Sequence, residues 1–109
     1  MPIKAPMFGS RATGVRVRPI DKDEVDRLYD TRRWRRFRRW ILRLNPICQR
    51  IVDGVRCQDF SVEVHHRQSP RKRPDLFTVA ENCVGLCKRH HKKSVGDEGN
   101  EVYADTIVD

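Results

Sequence analysis

All four cysteines and all four histidines of this 109-residue chain lie in one short segment. They are Cys48, Cys57, His65, His66, Cys83, Cys87, His90 and His91. Thiols and imidazoles that are concentrated in this way indicate a metal site when the protein is not secreted. With 35% charged and 38% hydrophobic residues, so short a chain buries only a thin core. A bound metal would therefore add stability that packing alone does not supply.

The first pair of candidate ligands flanks a predicted hairpin. Cys48 and Cys57 lie on either side of Asp53-Gly54, a dipeptide typical of a type I′ turn. A hairpin closed by this turn brings the two thiols together at its base. We therefore expect Cys48 and Cys57 to bind the same ion.

The second pair has two alternatives. Cys87 and His90 are three residues apart at the start of a predicted helix and so share one face. Cys83 and Cys87 are four apart, and Cys83 lies in an apolar stretch where a free cysteine behaves as a small hydrophobe. The spacing favours Cys87 with His90, which completes the Cys₃His set of a structural zinc site.

The other three histidines indicate a second centre. Adjacent residues on a helix point about 100° apart, so His91 cannot easily join the metal of His90. Neighbours on a strand point to opposite faces, so His65 and His66 share a centre only if the chain bends at the strand end. Of such a set, one imidazole can take a proton from water while the others hold a cation.

The net charge of +8 comes mainly from arginine, and it is uneven along the chain. Seven of the twelve residues in 32–43 are arginine, whereas residues 94–109 carry −5, which leaves +13 on the rest. Guanidinium groups bind phosphate bidentately, and a run without interleaved acids repels itself unless it has a polyanionic partner. We therefore predict nucleic-acid binding rather than a merely solvated face.

The arginines belong to the clearest predicted helix, over residues 31–44. Trp34, Phe37, Ile41 and Leu44 form one apolar stripe, so Trp34 is expected in the core. Asp30 or Thr31 caps this helix, and Asn45-Pro46 ends it. A shorter helix is predicted over 21–29, a strand over Phe60–Val64 and a helix from Leu86 to about Ser94.

The domain organisation follows from these patterns. Residues 1–20 form a flexible basic arm interrupted by proline and glycine, 21–95 form one domain, and 96–109 form an acidic C-terminal tail. No apolar run approaches the length of a membrane span, and the N-terminal residues lack the apolar stretch of a secretory signal. The expected location is the cytoplasm, without a membrane partner.

The ordered motifs resemble those of HNH endonucleases of the His-Me finger (ββα-metal) superfamily, in particular short phage-type members. The first is W-x₂-F-R-x₃-L-x₃-P-x-C from Trp34 to Cys48, followed by Cys57 and by EVHH at Glu63–His66. The last is N-x₃-L-C-x₂-H-H-x-K from Asn82 to Lys93. The resemblance implies an α+β fold with a small ββα-metal core, stapled by a structural zinc and preceded by the arginine-rich helix.

The resemblance also implies a role for each matching residue. His66 matches the general base that activates water, and Asn82 matches the asparagine that braces the loop. His65 and His91 match the ligands of the catalytic divalent cation. Cys48, Cys57, Cys87 and His90 match the zinc ligands, although cysteine is usual at position 90. The DNA backbone would be held by Arg35, Arg36, Arg38, Arg39, Lys88, Lys92 and Lys93.

Position 65 departs from the family, because many members have aspartate there. Two imidazoles suit borderline cations better than Mg²⁺, so we expect more activity with Mn²⁺, Ni²⁺ or Co²⁺ than with Mg²⁺. The predicted reaction is hydrolysis of DNA phosphodiester bonds, giving nicks with weak sequence specificity. The likeness to phage members implies a bacterial host cell and a link to terminase or other packaging proteins. A non-catalytic, zinc-stapled DNA-binding module is the alternative.

Overall fold

This computed structural model describes residues 17–94 and 102–108. Two helices lie at the start of this part of the chain. Helix α1 (Lys22–Tyr29) begins after Asp21, whose carboxylate accepts the amide of Glu24. Helix α2 (Arg32–Leu44) begins after Thr31, whose hydroxyl accepts the amide of Trp34. Both helices and the cap at Thr31 confirm the prediction. The N-terminal arm lies outside the described residues except for its last four positions.

Helix α2 buries the apolar stripe that its sequence predicts. Trp34, Phe37 and Ile41 are at most 7% exposed, whereas most of the arginines between them remain exposed. The stripe packs with Val64, Phe77 and Cys83 in one hydrophobic cluster. The predictions that Trp34 and Cys83 belong to the core are confirmed.

The expected hairpin is formed by β1 (Arg50–Val52) and β2 (Val55–Arg56). Asp53 and Gly54 have φ values of 51° and 77°, the left-handed pair that a type I′ turn requires. Strand β1 also pairs antiparallel with a C-terminal strand, β5 (Val102–Tyr103), so the sheet order is β2-β1-β5. The segment predicted as an acidic tail thus contributes a strand to the domain.

A second antiparallel pair lies between α2 and the last helix. It joins β3 (Glu63–His66) to β4 (Cys83–Leu86), with His65 opposite Val84, and α3 (Lys88–Ser94) follows and packs against both strands. The expected strand over Phe60–Val64 is displaced along the chain, because Phe60 makes only an isolated bridge and is 75% exposed. The expected helix begins after Leu86, because 83–86 form a strand that is buried throughout.

Two buried amides attach residues 102–108 to the domain. Gln49 donates to the Ala104 carbonyl at 2.9 Å and accepts the amide of Gly85 at 2.7 Å. Asn45 donates to the Ile107 carbonyl at 3.1 Å and accepts the Ile107 amide at 2.7 Å. Because both side chains are almost fully buried, their hydrogen bonds specify where this segment docks.

The result is a small α+β fold, with three helices and two small antiparallel sheets in the described residues. A second hydrophobic cluster of Cys48, Val84, Leu86 and Cys87 lies beside Cys57 and Tyr103. None of the helices in residues 17–94 and 102–108 has the length and apolar character needed to cross a bilayer.

Candidate functional site

Cys48, Cys57, Cys87 and His90 form a compact group whose ligand atoms all lie within 4.8 Å of one another. Nδ1 of His90 is 3.5 Å from Sγ of Cys48 and 3.4 Å from Sγ of Cys87. Tetrahedral zinc, with bonds of about 2.3 Å to sulfur and 2.0–2.1 Å to nitrogen, places such atoms about 3.6 Å apart. The group could hold a metal ion, and its geometry is compatible with structural zinc.

The fold brings these ligands from two places in the chain. Cys48 and Cys57 lie at the base of the β1–β2 hairpin, while Cys87 and His90 lie at the junction of β4 and α3. Cys83 stays apart in the α2 cluster, where its thiol faces the Phe77 carbonyl at 3.9 Å. Among the described residues, the alternative set with Cys83 in place of His90 is therefore not assembled.

Burial disfavours the charged form of the Cys48 thiol in this group. It raises the pKa of Cys48 to about 11, and the neighbouring Cys87 thiol adds to this shift. A cation bound among the thiols reverses that preference, because a coordinating thiol is deprotonated. The Cys48 thiol is thus costly to ionise unless a cation is bound beside it.

His66 extends from β3 into an aromatic cage that includes Trp34 and Phe77. Its ring stacks on Phe77 at a centroid distance of 4.9 Å and on Trp34 at 5.3 Å. Nε2 is 2.9 Å from the Phe77 carbonyl oxygen and Nδ1 is 3.2 Å from the Tyr29 hydroxyl. Since a carbonyl only accepts, Nε2 carries the hydrogen and Nδ1 is the nitrogen with the free lone pair.

Burial also governs the protonation of His66 and Tyr29. It lowers the pKa of His66 to about 4 and raises that of Tyr29 to about 12. The imidazole is therefore neutral near pH 7, and the phenol keeps the proton that it donates to Nδ1. In this state the hydroxyl of Tyr29 occupies the one basic nitrogen of His66.

His65 and His91 face each other between β3 and α3, with ring centroids 5.7 Å apart. The bend at the strand end that would let His65 and His66 share one centre is not formed. Both residues belong to the regular strand β3, where burial alternates, so His65 and the buried His66 leave opposite faces. His65 is thus paired with His91 and not with its neighbour.

Asn82 connects the two ends of the long loop between β3 and β4. Its Oδ1 accepts the amide of Gln68 at 2.9 Å, and its Nδ2 lies 3.3 Å from the carbonyls of Gln68 and Leu76. The backbone adds to this connection, because the amide of Arg67 donates to the Asn82 carbonyl. The Asn82 side chain is buried, so these bonds hold the loop that carries Phe77 against His66.

The basic residues predicted to contact DNA are not equivalent. Arg35, Arg36 and Arg39 are exposed and, together with Arg32, line a shallow depression on α2. Arg38 instead points to the start of β3. It donates to the carbonyl of Val62, just before the strand, and lies 3.6 Å from the Glu63 carboxylate. Lys88 and Lys92 are exposed on α3, and the side chain of Lys93 lies outside the described part.

Sequence reasoning missed two tyrosines at this site. Tyr29 reaches His66 from α1, 37 positions away, and no local pattern marks that contact. Tyr103 lies beside His65, with ring centroids 6.2 Å apart. Val102, Tyr103, Ile107 and Val108 are residue types common in strands, but nothing in the sequence shows where such a strand would dock.

Comparisons with protein families, with curated proteins and with solved structures return no match to this chain.

Proposed function

We propose that this protein is a metal-dependent HNH endonuclease that nicks DNA by hydrolysing phosphodiester bonds. The observation that carries the proposal is the distribution of imidazoles on β3 and α3. His65 and His91 face each other 5.7 Å apart, while His66 is held by a carbonyl so that Nδ1 keeps its lone pair. A zinc-stapled module that only binds DNA needs neither feature.

His65 and His91 are the residues that would hold the catalytic divalent cation. Both are only partly buried, and each belongs to an element that the fold holds in place. When bound, such a cation acts as a Lewis acid that binds the scissile phosphate and stabilises charge on the leaving oxygen. With two imidazoles as protein ligands, Mn²⁺, Ni²⁺ or Co²⁺ fits better than Mg²⁺.

His66 is the proposed general base. The hydrogen bond from Nε2 to the Phe77 carbonyl fixes the tautomer, so Nδ1 is the atom that would take the proton from the attacking water. The ring leaves β3 on the face opposite to His65, and the Tyr29 hydroxyl lies at Nδ1. The proposed step therefore requires the scissile phosphate to extend from the cation side around the end of the strand, where a water takes the place of the Tyr29 hydroxyl. The loop bonds of Asn82 keep Phe77, and with it the His66 ring, in position.

The proposed DNA-binding surface consists of Arg35, Arg36 and Arg39 on α2 with Lys88 and Lys92 on α3. These side chains are exposed, and backbone phosphates are what exposed arginine and lysine neutralise. Arg38 is left out of this surface, because its contacts with Val62 and Glu63 attach α2 to β3. Phosphate contacts alone carry no sequence information, so cleavage is proposed to be weakly specific.

A plasmid-nicking assay tests the proposal. Zinc-loaded protein is incubated with supercoiled DNA and Mn²⁺, Ni²⁺, Co²⁺ or Mg²⁺ in turn, or with EDTA. We expect open-circular DNA with at least one of the cations and none with EDTA. His66→Ala should lose activity by about 10²–10⁴-fold, the usual contribution of a general base, while DNA binding persists.

The controls distinguish a nuclease from a binding module. His66→Gln keeps a polar side chain of similar size and serves as a second variant if His66→Ala folds poorly. Zinc content and circular dichroism show whether each variant is folded. DNA binding without nicking under any cation would refute the nuclease and leave the non-catalytic DNA-binding module, with His66 as a core residue.

A further inference from the structure

Arg67 lies beside the His65–His91 pair and is not used by the function proposed so far. Arg67 follows β3 directly, and its amide donates to the Asn82 carbonyl. The antiparallel hydrogen bonding between β3 and β4 therefore extends to this residue. Alternation along the strand places Arg67 on the face of His65 and opposite to His66. The ring of Tyr103 supports this placement, because it lies 5.2 Å from the Arg67 guanidinium and 6.2 Å from the His65 ring.

Arg67 has no acidic partner among the described residues, although part of its guanidinium group is buried. The residue is partly buried, and its Nε is buried without a hydrogen-bond acceptor. Within residues 17–94 and 102–108, no carboxylate forms an ion pair with it. A partly buried cation in this state is unfavourable, because it has lost water without gaining an anion. The hydroxyl of Tyr103 is likewise buried without a hydrogen-bond partner among the described residues.

A second guanidinium lies over the same aromatic ring. Arg50 is the residue of β1 that pairs with Tyr103 of β5, and its guanidinium carbon lies 5.9 Å from the ring centroid. A tyrosine ring attracts each cation through its π face. The ring of Tyr103 therefore contributes to the position of both guanidinium groups.

We propose that Arg67, oriented by Tyr103, binds a phosphodiester group of nucleic acid beside His65. Planar guanidinium groups bind phosphate oxygens through paired, charge-assisted hydrogen bonds. The identification of the ligand rests on the proposed nuclease function, which it deepens by assigning the phosphate contact next to the proposed cation ligands. Tyr103 is a positioning residue here, so the C-terminal strand β5 completes the site.

Two binding measurements test this site without relying on cleavage. Zinc-loaded full-length protein, with no other divalent cation, is titrated with inorganic phosphate while the Nε–Hε resonances of arginine are followed by NMR. The same protein is titrated with a short fluorescein-labelled DNA duplex and followed by anisotropy. We expect the Arg67 resonance to shift with both ligands, and Arg67→Gln to weaken both interactions by about tenfold or more.

Matched variants distinguish binding at this site from a general effect of positive charge on affinity. Arg27→Gln removes the same charge from the exposed end of α1. It should change the affinity for phosphate or for the duplex by less than about twofold, because salt screens the interaction of a distant surface charge with the ligand. Tyr103→Phe keeps the ring and should behave like the wild type, whereas Tyr103→Leu should weaken binding as Arg67→Gln does. Zinc content confirms that each variant is folded.

The outcomes distinguish this site from the nuclease itself. If Arg67→Gln binds the duplex as tightly as Arg27→Gln does, the site is refuted even when the wild type nicks DNA. If phosphate binding requires Arg67 but duplex binding does not, the site takes free phosphate and the nucleic-acid assignment is wrong. If binding of phosphate and of the duplex both require Arg67 and no cation supports nicking, the phosphodiester site is supported and the nuclease function is refuted.

Discussion

Replacing single cysteines tests how far this fold depends on a metal ion. Cys83 and Cys87 are both buried and only four positions apart, yet they belong to different clusters. Cys87→Ala removes one of the four grouped ligands, whereas Cys83→Ala removes one sulfur atom from the core around α2. The two substitutions delete the same atoms, so any difference in outcome reports on metal binding.

The expected magnitudes differ widely. Structural zinc in small domains contributes roughly 10–16 kcal/mol of apparent binding free energy, as much as the roughly 5–15 kcal/mol by which a typical domain is stable. Losing the ion should therefore unfold this thin-cored protein. Cys83→Ala loses only the transfer free energy of one sulfur and leaves a small cavity, about 1–2 kcal/mol. That corresponds to a fall in Tm of about 10 °C.

Metal content and thermal unfolding measure both effects. We expect one zinc per chain in the wild type and in Cys83→Ala, and little or none in Cys87→Ala. Circular dichroism should show cooperative unfolding for the first two proteins and its loss for Cys87→Ala, as for wild type treated with a strong chelator. Zinc retained by Cys87→Ala but lost from Cys83→Ala would refute the Cys48, Cys57, Cys87 and His90 assignment. A chelated protein that keeps the native Tm would refute the dependence on metal.

Three further predictions concern the histidines. Tyr29→Phe removes the hydroxyl that competes for Nδ1 of His66, so nicking should be unchanged or faster. A loss as large as that of His66→Ala would mean that the hydroxyl is required. His65→Asp supplies a hard oxygen ligand and should raise the Mg²⁺ rate relative to the Mn²⁺ rate; an unchanged ratio in the nicking assay would contradict His65 as a cation ligand. Burial lowers the pKa of His66 from 6.5 to about 4, so the unfolded chain takes up this proton first as the pH falls. The stability from the neutral ring is complete above pH 6.5 and is lost between 6.5 and 4, amounting to about 2 kcal/mol by pH 5. Urea unfolding at pH 7 and pH 5 should show a larger loss for wild type than for His66→Gln, and equal losses would refute the shift.

Local sequence patterns predicted the elements whose determinants are short-range. The stripe from Trp34 to Ile41 and the cap at Thr31 define α2, and Asp53-Gly54 defines the hairpin turn. Spacing also predicted the ligand group, because Cys87 and His90 share a helix face and Cys48 and Cys57 flank that turn. Each of these inferences needs only the period of a helix or the geometry of a turn.

Contacts between distant segments were beyond the reach of these patterns. Strand β4 is a continuous apolar run that is buried on both faces, so it has no alternation to reveal it. The docking of residues 102–108 depends on Asn45 and Gln49, two amides that look like ordinary polar residues until both are found buried. Tyr29 and Tyr103 reach the histidines only because α1 and β5 pack where they do. The predicted strand ends at Val64, whereas β3 runs to His66, so the sequence left open whether the chain bends at the two histidines.

The position of α3 links the metal group to the proposed reaction. His90 and His91 are adjacent on this helix, and the first belongs to the Cys₃His group while the second faces His65. An ion bound by Cys48, Cys57, Cys87 and His90 would tie α3 to the β1–β2 hairpin and thereby set the distance between His91 and His65. Strand β1 also pairs with the strand that carries Tyr103. The same ion would therefore hold the ring of Tyr103, which positions the proposed phosphate contact, beside His65. A structural metal can in this way determine catalytic geometry without touching the substrate.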